Sequence, residues 1–293
     1  MKKIRLYIPN LLLTFLLVFF IMGSEAALLA EGVALTPATF QYITYHQGLA
    51  QKGYSSLESY FKTRANSTGI PANVYLDVIT EQDLADAIVQ NCTSAVESLG
   101  TKSAMILDFD MTNVEASIRT FFEDYAEENG YEQDEVFEQK VQSTIDEARA
   151  ELLIVTDPFK IATLEANGLL TKASSIVWYL NSAIPICIAG TALLIVLLIL
   201  CNRKQMEHLC YWIGLAGFTA GLLMAVPCIY LTASDFFSGF AIKDPQIYSA
   251  VVGMLKLITN RGLTMAIITM IVGIIGIGGF IFLRAVQREE EEE

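Results

Sequence analysis

Two carboxylates two residues apart, with a hydroxyl two residues further on, stand out in the stretch AMILDFDMTNV: Asp108, Asp110 and Thr112 follow a four-residue apolar run. Carboxylates serve as nucleophiles and as metal ligands, so this is the one cluster in the chain with the makings of a reaction centre. The other chemistry-bearing residues are scattered. His46 and His208 are far apart, and no HExxH, CxxC or calcium-loop pattern occurs, which argues against a metal site. No GxSxG, P-loop, GxGxxG or cysteine–histidine pair is present, and the glycine-rich GIIGIGG lies inside an apolar run where it cannot cradle phosphate. No cofactor is expected from these residues.

The stretch resembles motif one of the haloacid dehalogenase superfamily. The resemblance implies a magnesium-dependent phosphatase on a strand-rich sheet, with Asp108 attacking phosphate, Asp110 as acid/base and both helping to hold the metal. It covers about nine residues, and neither the later lysine in a recognised context nor the paired acidic motif of that family follows. The competing reading is structural. Asp110 or Thr112 caps a helix over 113–128, whose acidic first turn suits the helix dipole.

The elements that would have to position these residues are helical and partly membrane-bound. The chain has 293 residues, 53% of them hydrophobic, yet a net charge of −13. Such a mixture points to apolar and acidic parts kept apart. Residues 31–175 hold 9 lysines and arginines against 23 aspartates and glutamates, a surplus of 14 negative charges. An acidic segment of this kind is unsuited to nucleic acid. Three stretches, 176–200, 209–234 and 263–283, contain no Asp, Glu, Lys, Arg or His and are each long enough to span roughly 30 Å of hydrocarbon. The opening stretch, residues 1–30, has a basic leader and an apolar core and reads as a retained signal-anchor. A signal peptide cleaved after Ser24-Glu25-Ala26 is the alternative. The expected class is an all-α integral membrane protein with four transmembrane helices and an all-helical extracytoplasmic domain between spans one and two.

Orientation follows from basic residues beside the spans: Lys2, Lys3 and Arg5 at the start, Arg203 and Lys204 between spans two and three, Arg284 and Arg288 after span four. The positive-inside rule then puts both termini in the cytoplasm and residues 31–175 outside, with the acidic tail 285–293 as a solvated end. A plasma membrane, and a bacterial one, is the setting that fits the compact Lys-Lys leader and the lone cysteine, Cys92, of the acidic segment. Uncharged spans two to four weigh against a self-contained pump. Gly214, Gly217 and Gly221 in span three, with Gly273 and Gly276 in span four, suit close helix packing, either within the chain or between copies, so the oligomeric state stays open.

In the acidic segment, Thr80-x-x-Asp83 and Ser55-x-x-Glu58 read as capping boxes for helices over 81–99 and 56–65. Leu84, Ile88, Cys92, Val96 and Leu99 form one apolar face, which makes Cys92 a small core residue. Val141, Ile145, Ala148, Leu152 and Val155 line a helix over 133–155 that Pro158 ends. Asp244-Pro245 starts an amphipathic helix over 245–260, expected to lie at the outer interface and to stop at Asn260-Arg261-Gly262. A re-entrant segment or an early start to span four are the alternatives. Two N-x-S/T sequons, at Asn66 and Asn91, complete the segment.

The reading that results is a non-enzymatic membrane protein with an outward interaction or sensing domain, its partners the bilayer and another protein. One span, an outer domain and three further spans also resemble the layout of permease subunits of the cell-division and macrolide-export transporter family, which implies an ATP-driven complex. Magnesium-dependent phosphatase chemistry is the third expectation.

Overall fold

The computed structural model describes residues 2–101, 107–203 and 206–292. Among the described residues there are eleven α-helices and no strand. They are α1 (Lys2–Leu29), α2 (Pro37–His46), α3 (Leu49–Thr68), α4 (Asn73–Leu76), α5 (Glu81–Thr101), α6 (Thr112–Asn129), α7 (Glu135–Val155), α8 (Ile161–Ala166), α9 (Leu169–Asn202), α10 (Met206–Ala233) and α11 (Pro245–Glu292). A π-helical turn, Ala30–Ala34, follows α1, and a 3₁₀ turn, Phe236–Gly239, follows α10. The chain divides into two compact units. One comprises Met1–Leu35, Ile176–Phe240 and Leu255–Glu293; the other comprises Thr36–Ser175 and Ala241–Met254.

The acidic unit (36–175 with 241–254) is built as water requires. Its core is the apolar faces of α3 to α7: Leu57, Leu84, Ile118, Ile145 and Leu152 are all fully buried. Phe61 stacks on Tyr75, ring centroids 4.1 Å apart and 7° from parallel. Three helix starts have an identifiable side-chain cause. The Thr80–Asp83 box closes both ways: Asp83 accepts from the Thr80 amide at 2.9 Å, and Thr80 Oγ1 accepts from the Asp83 amide at 3.1 Å. Asp134 caps α7 by accepting from the Phe137 amide. After Pro158 the chain turns at Lys160, which adopts a left-handed φ of 53°, and the buried Asp157 carboxylate accepts from the Ile161 and Ala162 amides to start α8. Cys92 is fully buried, and burial pushes its thiol well above the usual range.

One sequence expectation fails in this unit. The Ser55 capping box does not form, because α3 begins at Leu49 and Ser55 lies inside it, its hydroxyl donating back to the Gln51 carbonyl. A motif with cap spacing is only a cap if the helix starts there. Asn91 of the second sequon is buried and accepts from the Asp108 amide, so it is not presented for modification.

Four helices among the described residues are long and apolar enough to cross a membrane: Tyr7–Ala34, Leu169–Asn202, Glu207–Ala233 and Pro245–Val286. They turn large side chains outward; Ile275 is 67% exposed and Phe282 68%. In water such a surface would aggregate, whereas lipid tails solvate it. Inside, Leu17 and Val18 of α1 pack with Leu194 and Leu198 of α9 and with Trp212, Ala216 and Ala220 of α10. The helices run on through Pro9, Pro185 and Pro227.

The largest departure from expectation is α11. The separate helix over 245–260 does not exist; Asn260-Arg261-Gly262 does not end it, and one helix of 48 residues runs from Pro245 to Glu292. Asp244 caps it as expected, accepting from the Gln246 and Ile247 amides. A single interior glycine costs about 1 kcal/mol relative to alanine, too little to stop a helix that continues into twenty apolar residues. The early start to span four is thus the alternative the structure adopts.

Leu152 fills the centre of the acidic unit's core. Leu152→Ala is expected to cost about 2–5 kcal/mol, read as a lowered midpoint of denaturant unfolding followed by near-ultraviolet circular dichroism of the detergent-solubilised chain.

Candidate functional site

The carboxylate cluster is assembled by the chain between α5 and α6. Residues 107–111 are neither helix nor strand, and Ala104–Ile106 of the apolar run lie outside the described residues. Asp108 Oδ1 accepts from the Phe109 amide at 2.9 Å. Asp110 Oδ1 accepts twice from Thr112, from its amide at 3.0 Å and its hydroxyl at 2.6 Å. Those bonds, the hydroxyl first, hold the Asp110 carboxyl below its ordinary value. Thr112 opens α6, so the Asp110 side chain closes the turn immediately before the helix. The groove beside it, about 540 Å³, is lined by Asp83, Asp86, Asp108, Asp110 and Glu115, with Arg149 as a cation. Arg149 is itself held by Glu115 at 2.6 Å. With Arg149 neutralised by Glu115, the other four carboxylates repel a phosphate. Among the described residues no three carboxylate, imidazole or thiol groups converge as a metal set would, and the sheet the resemblance implies is absent. Asp108 and Asp110 do not fit magnesium here.

The spanning helices carry polar pairs that the sequence pattern does not show. Asn10 of α1 and Asn202 of α9 exchange two amide bonds, at 2.9 and 3.1 Å, and both are buried. Glu25 of α1 is also buried; Thr269 of α11 donates to its Oε1, while Oε2 has no partner among the described residues. Ser24-Glu25-Ala26, the alternative cleavage site, therefore lies in the last turns of α1, with Glu25 packed against α11. Of the glycines named from sequence, Gly214, Gly217, Gly273 and Gly276 meet one another, and Gly221 meets the backbone at Ala266. A Cβ added at Gly214 would lie 2.8 Å from the Gly273 carbonyl oxygen, one at Gly276 would lie 2.8 Å from Gly214 Cα, and one at Gly221 would lie 2.6 Å from the Ala266 carbonyl oxygen. A Cβ at Gly217 would touch Gly273 Cα at 3.4 Å. Backbones of α10 and α11 thus approach where lipid supplies no hydrophobic drive. A further contact was hidden in the pattern: the Phe20 ring of α1 covers Gly190 of α9.

In the acidic unit, the first turns of α11 enter a socket between α3 and α7. Gln246 is buried, and its Nε2 donates to the Leu49 carbonyl at 3.0 Å and the Val155 carbonyl at 2.9 Å. Val155 ends α7, where final carbonyls have no intrahelical donor. Gly53 makes the room: a Cβ there would lie 2.6 Å from Val155 Cγ1 and 2.7 Å from Gln246 Nε2. Lys52 Nζ adds bonds to the Gln47 carbonyl and to Ser249 Oγ. No motif announces this site. Its signal was Gly53 within an otherwise helical segment, together with a lone glutamine after a capped proline.

Of the orientation residues, Arg203 and Arg284 are exposed, and Arg284 lies 5.8 Å from the Phe280 ring centroid. Lys204 and the side chains of Lys2, Lys3, Arg5 and Arg288 lie outside the described residues. No protein-family model, curated protein or solved structure matches this chain.

Gly273→Val is expected to drive α10 and α11 apart and lower the thermal midpoint of the detergent-solubilised chain by several degrees, whereas Gly278→Val, where an added Cβ meets nothing within 4 Å, leaves it unchanged. Gln246→Leu removes a donor from two buried carbonyls and is expected to cost about 1–3 kcal/mol, with faster amide hydrogen exchange at residues 245–254 as the local sign.

Proposed function

We propose that this chain is a four-span membrane protein of interaction or sensing type. Its acidic helical unit faces the outside of the plasma membrane, both termini are cytoplasmic, and α1 is retained as a permanent member of the bundle. One observation carries the reading. The same helix, α11, supplies Gln246 to the core of the acidic unit and Gly273 and Gly276 to the packed spans. A partner that shifts the bundle around Gln246 would act directly on the end of a spanning helix.

The distribution of arginine and lysine supports the orientation. Burial of Glu25 against Thr269 supports retention of α1, because a peptidase needs the chain extended at its cleavage site. The permease layout has no such support. Only three residues, 203–205, separate α9 from α10, which leaves no chain for a helix that would dock on an ATPase.

The test is cysteine accessibility in spheroplasts, with the four cysteines of the apolar unit replaced. A membrane-impermeant maleimide is expected to label Glu132→Cys on intact spheroplasts and Arg203→Cys only after lysis, and the intact mass is expected to include residues 1–30. The opposite labelling pattern refutes the orientation; a mass short of α1 refutes its retention.

A further inference from the structure

Across residues 6–30, 176–200, 209–234 and 263–283 the chain holds a single Asp, Glu, Lys, Arg or His, and it is Glu25. That side chain is 7% exposed. Its Oε1 accepts from the Thr269 hydroxyl, and its buried Oε2 has no hydrogen-bond partner among the described residues. The hydroxyl is turned out of its usual course to reach it. Thr259 and Thr264, on the same helix, donate to the carbonyls four residues earlier, Leu255 at 2.8 Å and Asn260 at 2.9 Å, whereas Thr269 donates across to α1. Thr269 is also well inside lipid, about 9 Å along α11 from the start of the apolar stretch 263–283.

No cation answers this carboxyl. Among the described residues Glu25 is in no ion pair. On α1 the next charge is Glu31, and on α11 the nearest is Arg261; both are exposed and lie beyond the apolar stretches. The packed elements otherwise offer thiols. A Cβ added at Gly23 would lie 3.2 Å from Cys187 Sγ of α9, and one at Gly262 would lie 3.5 Å from Cys228 Sγ of α10. A carboxylate at this depth without a cation keeps the full cost of losing its water, and the neutral acid sheds most of that cost. The backbone beside Glu25 is unusual as well. The π-helical turn Ala30–Ala34 begins five residues further on, its Leu35 amide bonded to the Ala30 carbonyl at 3.0 Å. Turns of this kind are rare and recur at functional sites.

We propose that Glu25 is a proton-binding site of the membrane bundle, whose occupancy sets how α1 is seated on α11. Oε2 takes a proton from water, Oε1 accepts from Thr269, and the neutral pair holds the two helices together. When that proton returns to water, the carboxylate is driven from hydrocarbon toward the aqueous side, and the last turns of α1, ending in the π-turn, loosen from α11. The inference rests on the retention of α1 in the bundle, as read above, and is independent of which face of the membrane the acidic unit occupies.

The test uses the full chain in nanodiscs of zwitterionic lipid and two carbodiimides. Dicyclohexylcarbodiimide partitions into lipid and reacts with a protonated carboxyl: the acid proton passes to a carbodiimide nitrogen as the carboxyl oxygen bonds the central carbon, and acyl transfer leaves a stable N-acylurea. Near neutral pH, peptide mass mapping is expected to find this adduct at Glu25 at least about tenfold above the level given by a water-soluble carbodiimide, and Glu25→Gln is expected to lose it. In mildly alkaline buffer the adduct is expected to fall, and amide-exchange protection of residues 26–35 to drop by about threefold or more, with no such drop in Glu25→Gln, which keeps the shape of the side chain and cannot ionise. An intact chain with Glu25 unlabelled, preferential labelling by the water-soluble reagent, or an equal loss of protection in Glu25→Gln each overturns the proposal while leaving the reading of α1 as a retained span in place. A chain whose mass lacks α1 overturns both.

Discussion

A peptide group in hydrocarbon has no water to bond, and this constraint shapes half of the molecule. Every spanning segment must satisfy its own backbone, so each is helical and stays helical through Pro9, Pro185 and Pro227. The same scarcity governs side chains. Asn10 and Asn202 answer each other, and Glu25 is met by Thr269. Burial of apolar area offers helices in lipid no reason to associate, so contact is made by removing side chains altogether, as between Gly214 and Gly276.

In the acidic unit water supplies the opposite rule. Apolar faces of α3 to α7 turn inward, carboxylates turn outward, and helix ends are closed by Thr80, Asp83, Asp134 and Asp157. The surplus negative charge keeps the surface soluble at the cost of self-repulsion. One element obeys both rules. α11 begins as a water-soluble helix held by Gln246 and continues as an apolar rod with glycines at its packed face.

Asp108 and Asp110 have the spacing of a phosphatase motif; one oxygen of each is engaged in turn-forming bonds to Phe109 and Thr112, and the groove beside them is crowded with like charge. The residues that carry the architecture, Gln246, Glu25 and Asn202, are ordinary in any window of sequence. Thr80-x-x-Asp83 was legible because cap and helix lie within four residues of each other. Ser55-x-x-Glu58 has the same form and means nothing, because helix α3 had already begun six residues earlier.

Hydropathy and periodicity were enough to establish an all-helical chain, the four apolar helices, the acidic surplus and the buried faces through Leu84 and Leu152, since each is a property of neighbouring residues that share one helix face or one stretch of lipid. Which helices meet could not be read that way. Glu25 and Thr269 are 244 residues apart, Asn10 and Asn202 are 192 apart, and Gln246 draws on carbonyls 197 and 91 residues away. Such partners are chosen by the folding of the whole chain, because a buried polar group takes whatever donor or acceptor packing brings within reach, and sequence distance places no limit on what that will be.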